Sequence, residues 1–258
     1  MLVQIYDDRH IHFNIPSNES PAMNLQNAVV LVTGANRGLG QAFVDALRAA
    51  GVRKVYAGAR DPSSIALAGV VPVRLDVTDA ADIAAAVQAC PDLTLLINNA
   101  GISRGSSLLA PGSAEAARAE LETNFFGPLA LSQAFAPVLK ANGGGAIVNV
   151  LSVLSWLSLP GVATYSASKS AAWSLTNGLR NELRAQGTRV VGVHVGYMDT
   201  DMTKGLDAPK ASPHDVVAQV LAALESGADE VLADDLSRQV RQGLAAPRGV
   251  YLGEAVAP

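Results

Sequence analysis

The sequence predicts an α/β fold: one doubly wound domain with a parallel sheet and helices on both faces. Three observations predict it. From Ala28 onward, short apolar runs alternate with helical stretches. The runs are near-continuously apolar rather than alternating, as in strands buried on both faces. The first run passes directly into a glycine-rich turn that opens a helix.

Ala28 to Thr33 is a short apolar, β-branched run, and the first strand. Leu39 to Ala50 carries helical periodicity and stops at Gly51, a residue suited to the position after a helix. Lys54 to Ala59 and Val70 to Leu75 read as the second and third strands, and Ala80 to Ala89 as a helix. Leu93 to Asn98 is the fourth strand, followed by a long helix from Glu115 to Lys140. Ala146 to Leu151 and Arg189 to Val195 are strands separated by a helix from about Ser166 to Gln186. His214 to Glu225 is helical, Glu230 to Ala233 a last short strand, and Ser237 to Gly243 a polar helix. No repeat or low-complexity linker interrupts residues 23–258, which are read as one domain.

Residues 1–22 differ from the rest. Ile11, Phe13 and Ile15 alternate with polar residues, a pattern suited to a short half-buried strand, but the segment reads first as a terminal tail. It lacks the basic start and apolar block of a signal peptide.

Composition narrows the function. Hydrophobic residues make up 49% and charged residues 16%, which argues against disorder. The net charge of −4 lacks the basic footprint of a nucleic-acid binder. No uncharged apolar run approaches the ~18 residues that span a bilayer, so no membrane partner is expected. A single cysteine, Cys90, permits no internal disulfide and fits a reducing, cytoplasmic setting; it reads as a small apolar helix residue.

The turn reads Thr33-Gly34-Ala35-Asn36-Arg37-Gly38-Leu39-Gly40. Glycine permits positive φ and close backbone approach, and the helix beyond offers free N–H groups and its positive dipole end to a phosphate. Between the first strand and first helix of an alternating chain, this is a dinucleotide signal. The pattern T-G-x-N-x-G-x-G resembles the cofactor motif of the short-chain dehydrogenase/reductase family. Other landmarks follow in order from Asn27 to Thr203: Asp76-Val77, Asn98-Asn99-Ala100-Gly101, Asn124, Ser152, Tyr165 and Lys169. The resemblance implies a Rossmann-type sheet of about seven strands in the order 3-2-1-4-5-6-7. It also implies that Asp76 and Val77 meet the adenine ring, that Asn98, Ala100 and Gly101 lie beside the cofactor, and that Asn124 positions a water leading from the lysine. Gly196-Tyr197-Met198-Asp199-Thr200 resembles the segment that holds the nicotinamide carboxamide, with Val195 in place of a proline and Met198 in place of a branched residue.

Tyr165 and Lys169 are spaced i and i+4, so phenol and ammonium share a helix face. The nearby cation is expected to lower the tyrosine pKa and prepare it as a general acid/base. Ser152 closes an apolar strand, where ligands of parallel sheets bind, and is placed to hydrogen-bond a carbonyl oxygen. Ser155 is a rival hydroxyl in the same loop. By resemblance, Lys169 also serves the nicotinamide ribose.

Cofactor choice is legible at the second strand. An acid there would hold the ribose hydroxyls of NAD, but the segment reads Gly58-Ala59-Arg60. Arg60 offers a planar fork to a 2′-phosphate, Arg37 is a second cation nearby, and Asp61 is assigned to the turn with Pro62. NADP(H) is therefore expected rather than NAD(H). The loop with Leu154 and Trp156, together with Tyr197, is apolar and without a cationic clamp, which points to a small neutral ketone, aldehyde or alcohol. A homodimer through the long helices, or a homotetramer, is expected. The alternative is a silent cofactor-binding regulator; the intact Asn124, Ser152, Tyr165 and Lys169 set favours an enzyme.

Overall fold

The computed structural model describes residues 22–253. The alternating pattern at Ile11, Phe13 and Ile15 lies outside them. The elements are β1 (Val29–Thr33), α1 (Gly38–Ala49), β2 (Lys54–Ala59), β3 (Val71–Arg74), α2 (Ala80–Ala89), β4 (Leu95–Asn98), α3 (Ser113–Leu121), α4 (Gly127–Ala141), β5 (Gly145–Val150), α5 (Ala163–Leu183), β6 (Thr188–His194), α6 (Pro213–Ser226), β7 (Glu230–Leu232) and α7 (Asp235–Gly243). The strands form one parallel sheet in the order β3-β2-β1-β4-β5-β6-β7, as the sequence predicts.

Side-chain parity in β1 explains the two layers. Val30 and Val32 join a core with Phe43 and Leu47 of α1 and Val216, Val217 and Val220 of α6. Val29 and Leu31 point the other way, into a core with Ile83 of α2, Phe135 and Leu139 of α4 and Leu179 of α5. Successive strand residues face opposite sides, so a strand apolar throughout must be covered twice. Each fully buried Leu or Phe contributes about 1.5–3 kcal/mol. Cys90 caps α2 inside this second core, and burial pushes its thiol up to about 12, so it is an inert packing residue.

Two elements depart from expectation. β3, at the sheet edge where the predicted order places it, is not buried on both faces: of its four residues only Val73 is buried. The long helix predicted over Glu115 to Lys140 is divided: between α3 and α4, Glu122–Phe126 forms one π-helical turn containing Asn124. Such turns insert a residue into an α-helix and often mark functional sites.

The layers meet at a switch point. β1 and β4 are neighbours, but β1 leads into α1 on one face and β4 leads toward α3 and α4 on the other. The crevice beyond their carboxyl ends is where doubly wound sheets bind ligands. Glycine is required there. Gly34 and Gly38 have φ of +62° and +54°, and a Cβ at Gly40 would lie 2.1 Å from the Gly34 carbonyl oxygen. Gly40→Ala is therefore expected to force the turn open, costing about 1–3 kcal/mol. At roughly 2–4 °C per kcal/mol, Tm should fall by roughly 2–12 °C, measured by thermal denaturation.

Candidate active site

A small network welds the glycine turn to β4. The Thr33 hydroxyl donates to Ile97 O and accepts from the backbone N–H groups of Asn99 and Ala100, both at 2.9 Å. The Asn99 amide donates to Thr33 O at 2.8 Å and to Gly34 O at 3.2 Å. The side chain of Asn98, the neighbour expected beside a cofactor, turns into the sheet and donates to Asn149 Oδ1 at 2.8 Å. Neither Thr33 nor Asn99 is among the residues that the sequence reading assigns to cofactor binding. The strand alternation that separates Asn98 from Asn99 was a usable signal, but it does not say which of the two faces β1.

The turn fits a dinucleotide. α1 begins at Gly38 with no side chain capping its N–H groups, and the glycines leave a cradle that any Cβ would fill. The cations are arranged less simply than expected. Arg37 pairs with Asp201 across the mouth at 3.2 Å, both side chains being well exposed. Arg60 is exposed at the end of β2, and its carbonyl accepts from Arg74 on the adjoining β3 at 3.3 Å. Arg74 is a cation that the sequence reading missed, since only strand pairing sets it opposite Ala59. Asp61 is spent on its turn: Oδ1 accepts from the Ser63 hydroxyl at 2.7 Å and the Ser63 N–H at 2.9 Å, which hold the carboxyl below its ordinary range. Asp76 likewise accepts from the Thr78 N–H and hydroxyl, which lower its pKa, and buried Val77 packs against Gly127.

The segment after β6 closes the other side. Val195 is buried, and its carbonyl accepts from the Val153 N–H at 2.9 Å. Gly196 N–H donates to Asp234 Oδ2 at 2.6 Å, and Met198 bridges to Ala211. Thr200 sits against Gly38. These bonds tie down the chain that the missing proline would otherwise stiffen.

The candidate catalytic residues converge at the ends of β4 and β5. Asn124 is buried; its Oδ1 accepts from the Ile102 N–H, and its Nδ2 donates to Ile102 O and Ser168 Oγ, all at 2.9 Å. A Cβ added at Gly101 would stand 3.2 Å from Asn124 Oδ1 and 3.7 Å from Lys169 Nζ, so these groups share one small space. Ser152 caps a short 3-10 turn, Val153–Ser155, its hydroxyl accepting from the Leu154 N–H at 3.1 Å. The rival Ser155 hydroxyl accepts from the Ser152 N–H, which gives it a capping role. Tyr165 lies in the first turn of α5, with a hydrogen bond to the Ser152 side chain. Lys169 Nζ stands 5.6 Å from the Tyr165 ring centroid and donates to Val150 O at 2.8 Å.

The electrostatics correct one expectation. Tyr165 is not lowered: burial raises its pKa, outweighing the Ser152 hydrogen bond that lowers it, and the Glu120 charge raises it further. Lys169 does not reverse this: burial pulls its own pKa down as well, to about 8. Desolvation penalises both charged forms, and here it dominates. The site thus holds a protonated phenol at neutral pH.

Of the expected substrate contacts, Tyr197 is half-buried beside the crevice-closing segment. Leu154 and Trp156 are each 8% exposed and pack together beneath their loop. The Trp156 ring stacks on His194 and meets Trp173 edge-on, so it is packing rather than pocket wall.

An α/β crevice with a glycine cradle and a Tyr–Lys–Ser–Asn cluster defines a dinucleotide-dependent oxidoreductase fold and site. The chain matches the short chain dehydrogenase family over residues 28–211 and belongs to it. A short chain dehydrogenase from Burkholderia cenocepacia, solved in complex with NADP, is 46% identical, with a TM-score of 0.84 over 87% of this chain and 95% of that one. The NADPH-bound carbonyl reductase from chicken fatty liver is 31% identical, with a TM-score of 0.70 over 81% of this chain and 99% of that one. The 3-oxoacyl-[acyl-carrier-protein] reductase of Escherichia coli is 29% identical over 81% of this chain and 88% of its own length. The chain spans 46% of the Aspergillus terreus short chain dehydrogenase tazN, at 37% identity over 75% of this chain. It spans 60% of the mouse dehydrogenase/reductase SDR family member 7B, at 35% identity over 69% of this chain. Among the described residues no helix is long and apolar enough to cross a membrane.

The depressed Lys169 makes a stability prediction. Its pKa falls from 10.5 to about 8 on folding, so between those values the unfolded chain binds more protons, and stability rises with pH. At pH 7 the buried cation costs on the order of 3 kcal/mol. Lys169→Met, which removes the charge and keeps the length, is expected to stabilise the cofactor-free protein by about 1–3 kcal/mol at pH 7. That gain should shrink toward pH 10. Denaturant titrations at the two pH values measure it, and a variant destabilised at both would contradict it.

Proposed function

We propose that this chain is an NADP(H)-dependent reductase of neutral ketones or aldehydes, working also as a dehydrogenase of the matching alcohols. The observation that carries the reading is the convergence of Ser152, Tyr165 and Lys169 at the ends of β4 and β5, with Lys169 and Asn124 beside Gly101. The turn from Gly34 to Gly40 would hold the pyrophosphate, and Gly196, Met198 and Thr200 the nicotinamide side. Arg60, with Arg37, would meet the 2′-phosphate. The bound cofactor supplies the hydride. Ser152 orients the carbonyl oxygen, and Tyr165 gives it a proton. Because burial keeps the phenol protonated, the resting site is prepared for reduction. Lys169 holds the Tyr165 side of the site, and Asn124 fixes the loop at Ile102. The exposed Met202 and Leu206 supply apolar surface near the mouth. The exposed Phe126, on the turn between α3 and α4, supports a second copy docking along those helices.

Two experiments test this. With NADPH and a panel of ketones and aldehydes, Tyr165→Phe should lower kcat at least about 100-fold while leaving NADPH affinity within a few-fold. Retention of a tenth of the activity would overturn the assignment; no turnover by the wild type on any carbonyl would favour the silent cofactor-binding alternative. Arg60→Ala should weaken NADPH about 10- to 150-fold, the value of one charge-assisted hydrogen bond. Adding Ala59→Asp should then reverse the kcat/KM preference to NADH. A wild type that already prefers NADH would refute the second-strand reading.

A further inference from the structure

His194 is wholly buried at the end of β6, and the reaction just described does not use it. Its surroundings lead back to the active site. Nδ1 lies 3.2 Å from the carbonyl oxygen of Ser152. The ring stacks on Trp156 with centroids 3.8 Å apart and planes 16° off parallel. Nε2 lies 3.6 Å from Glu230 Oε1 on β7, and Glu230 Oε2 is bound by Arg241 of α7 at 3.3 Å. Arg241 also sits 6.0 Å from the Trp156 ring.

The backbone explains why this matters for Ser152. Its neighbours are anchored to β6: Leu151 N–H donates to Val193 O and Val153 N–H to Val195 O. Ser152 has no backbone partner on β6. Its N–H goes to Ser155 Oγ, while its carbonyl receives the Ser155 N–H and faces the imidazole. The chain at this residue is thus held from β6 by the His194 side chain alone. Of the ring's two polar neighbours, the carbonyl is within hydrogen-bond distance and the carboxylate is beyond it. A backbone carbonyl can only accept, so a hydrogen bond to it at this distance requires Nδ1 to carry the proton. Burial and the nearby cations Arg241, Arg180 and Lys169 push His194 down to about 4, consistent with a neutral ring at physiological pH.

We propose that His194 is a positioning residue for the catalytic serine: its Nδ1–H holds the Ser152 carbonyl, and the stacked Trp156 ring, itself beside Arg241, holds the imidazole, so that α7 braces the active-site loop. The inference rests on the reading that Ser152 orients the substrate oxygen.

Two substitutions separate positioning from packing. His194→Phe keeps the stacked ring and loses the donor. His194→Asn loses the stack, but its amide nitrogen takes the place of Nδ1. A purely structural role would make activity follow stability, with the phenylalanine variant the better on both counts. The proposal requires the opposite order: the asparagine variant has the lower Tm but a kcat within about threefold of wild type. The phenylalanine variant should lose about fivefold to tenfold in kcat, the factor carried by one hydrogen bond, with KM and NADPH affinity within twofold. Activity that tracks Tm, or an unchanged kcat in His194→Phe, would overturn it. A second measurement needs no turnover. Long-range 1H–15N spectra of the cofactor-free protein should show His194 protonated at Nδ1. A ring with Nδ1 unprotonated cannot donate to Ser152 and refutes the proposal, even if the substrate reading stands; Nδ1 protonated in a protein with no carbonyl reductase activity faults the substrate reading alone.

Discussion

The structure depends on how β1 and β4 are joined at their carboxyl ends. Thr33 and Asn99 make that joint, one hydroxyl and one amide supplying five hydrogen bonds between the strand ends and the glycine turn. The constraint is one of satisfaction. Backbone groups at the ends of buried strands have left the ladder and are still out of water, and each one unpaired costs free energy comparable to a lost hydrogen bond. Spending two side chains on them leaves the turn narrow enough that a Cβ at Gly40 finds no room. The first N–H groups of α1 then face outward, uncapped and ready for an anion.

The same economy runs through the catalytic end of the crevice. Asn124 commits its whole amide to Ile102 and Ser168, and the π turn around it brings that amide to the loop after β4. Ser152 and Ser155 cap each other's turn while the Ser152 hydroxyl remains beside Tyr165. What the site leaves uncompensated is charge. Lys169 is buried against a backbone carbonyl rather than a carboxylate, and no ion pair engages it among the described residues. A buried charge so placed lowers stability, and a site of this kind keeps it because the chemistry needs a titratable pair out of water.

The C-terminal elements are less standard and more connected than their sequence suggests. Asp234 caps α7 through the Ser237 N–H and also accepts from Gly196, so one carboxylate joins the helix to the segment after β6. Val240 of α7 packs on Val153, Leu154 and Trp156. The catalytic loop is therefore supported from beneath by residues about eighty positions later in the chain.

The sequence by itself determined the strands, the sheet class, the glycine turn and the Tyr165–Lys169 pair. These rest on short-range physics: apolar runs of strand length, a helix opening after glycines, and i, i+4 spacing on one helix face. It also placed Asp61 correctly in its turn, because an aspartate before proline can cap its own backbone. Only the tertiary structure decided which of Asn98 and Asn99 faces β1, since alternate strand residues point opposite ways and the partner, Thr33, is 66 positions from Asn99. Strand pairing alone brought Arg74 next to Arg60. Burial decided the rest. It reversed the expected shift of Tyr165 and drew Trp156 out of the pocket onto His194, because desolvation and packing are set by neighbours far away in the chain that no local spacing encodes.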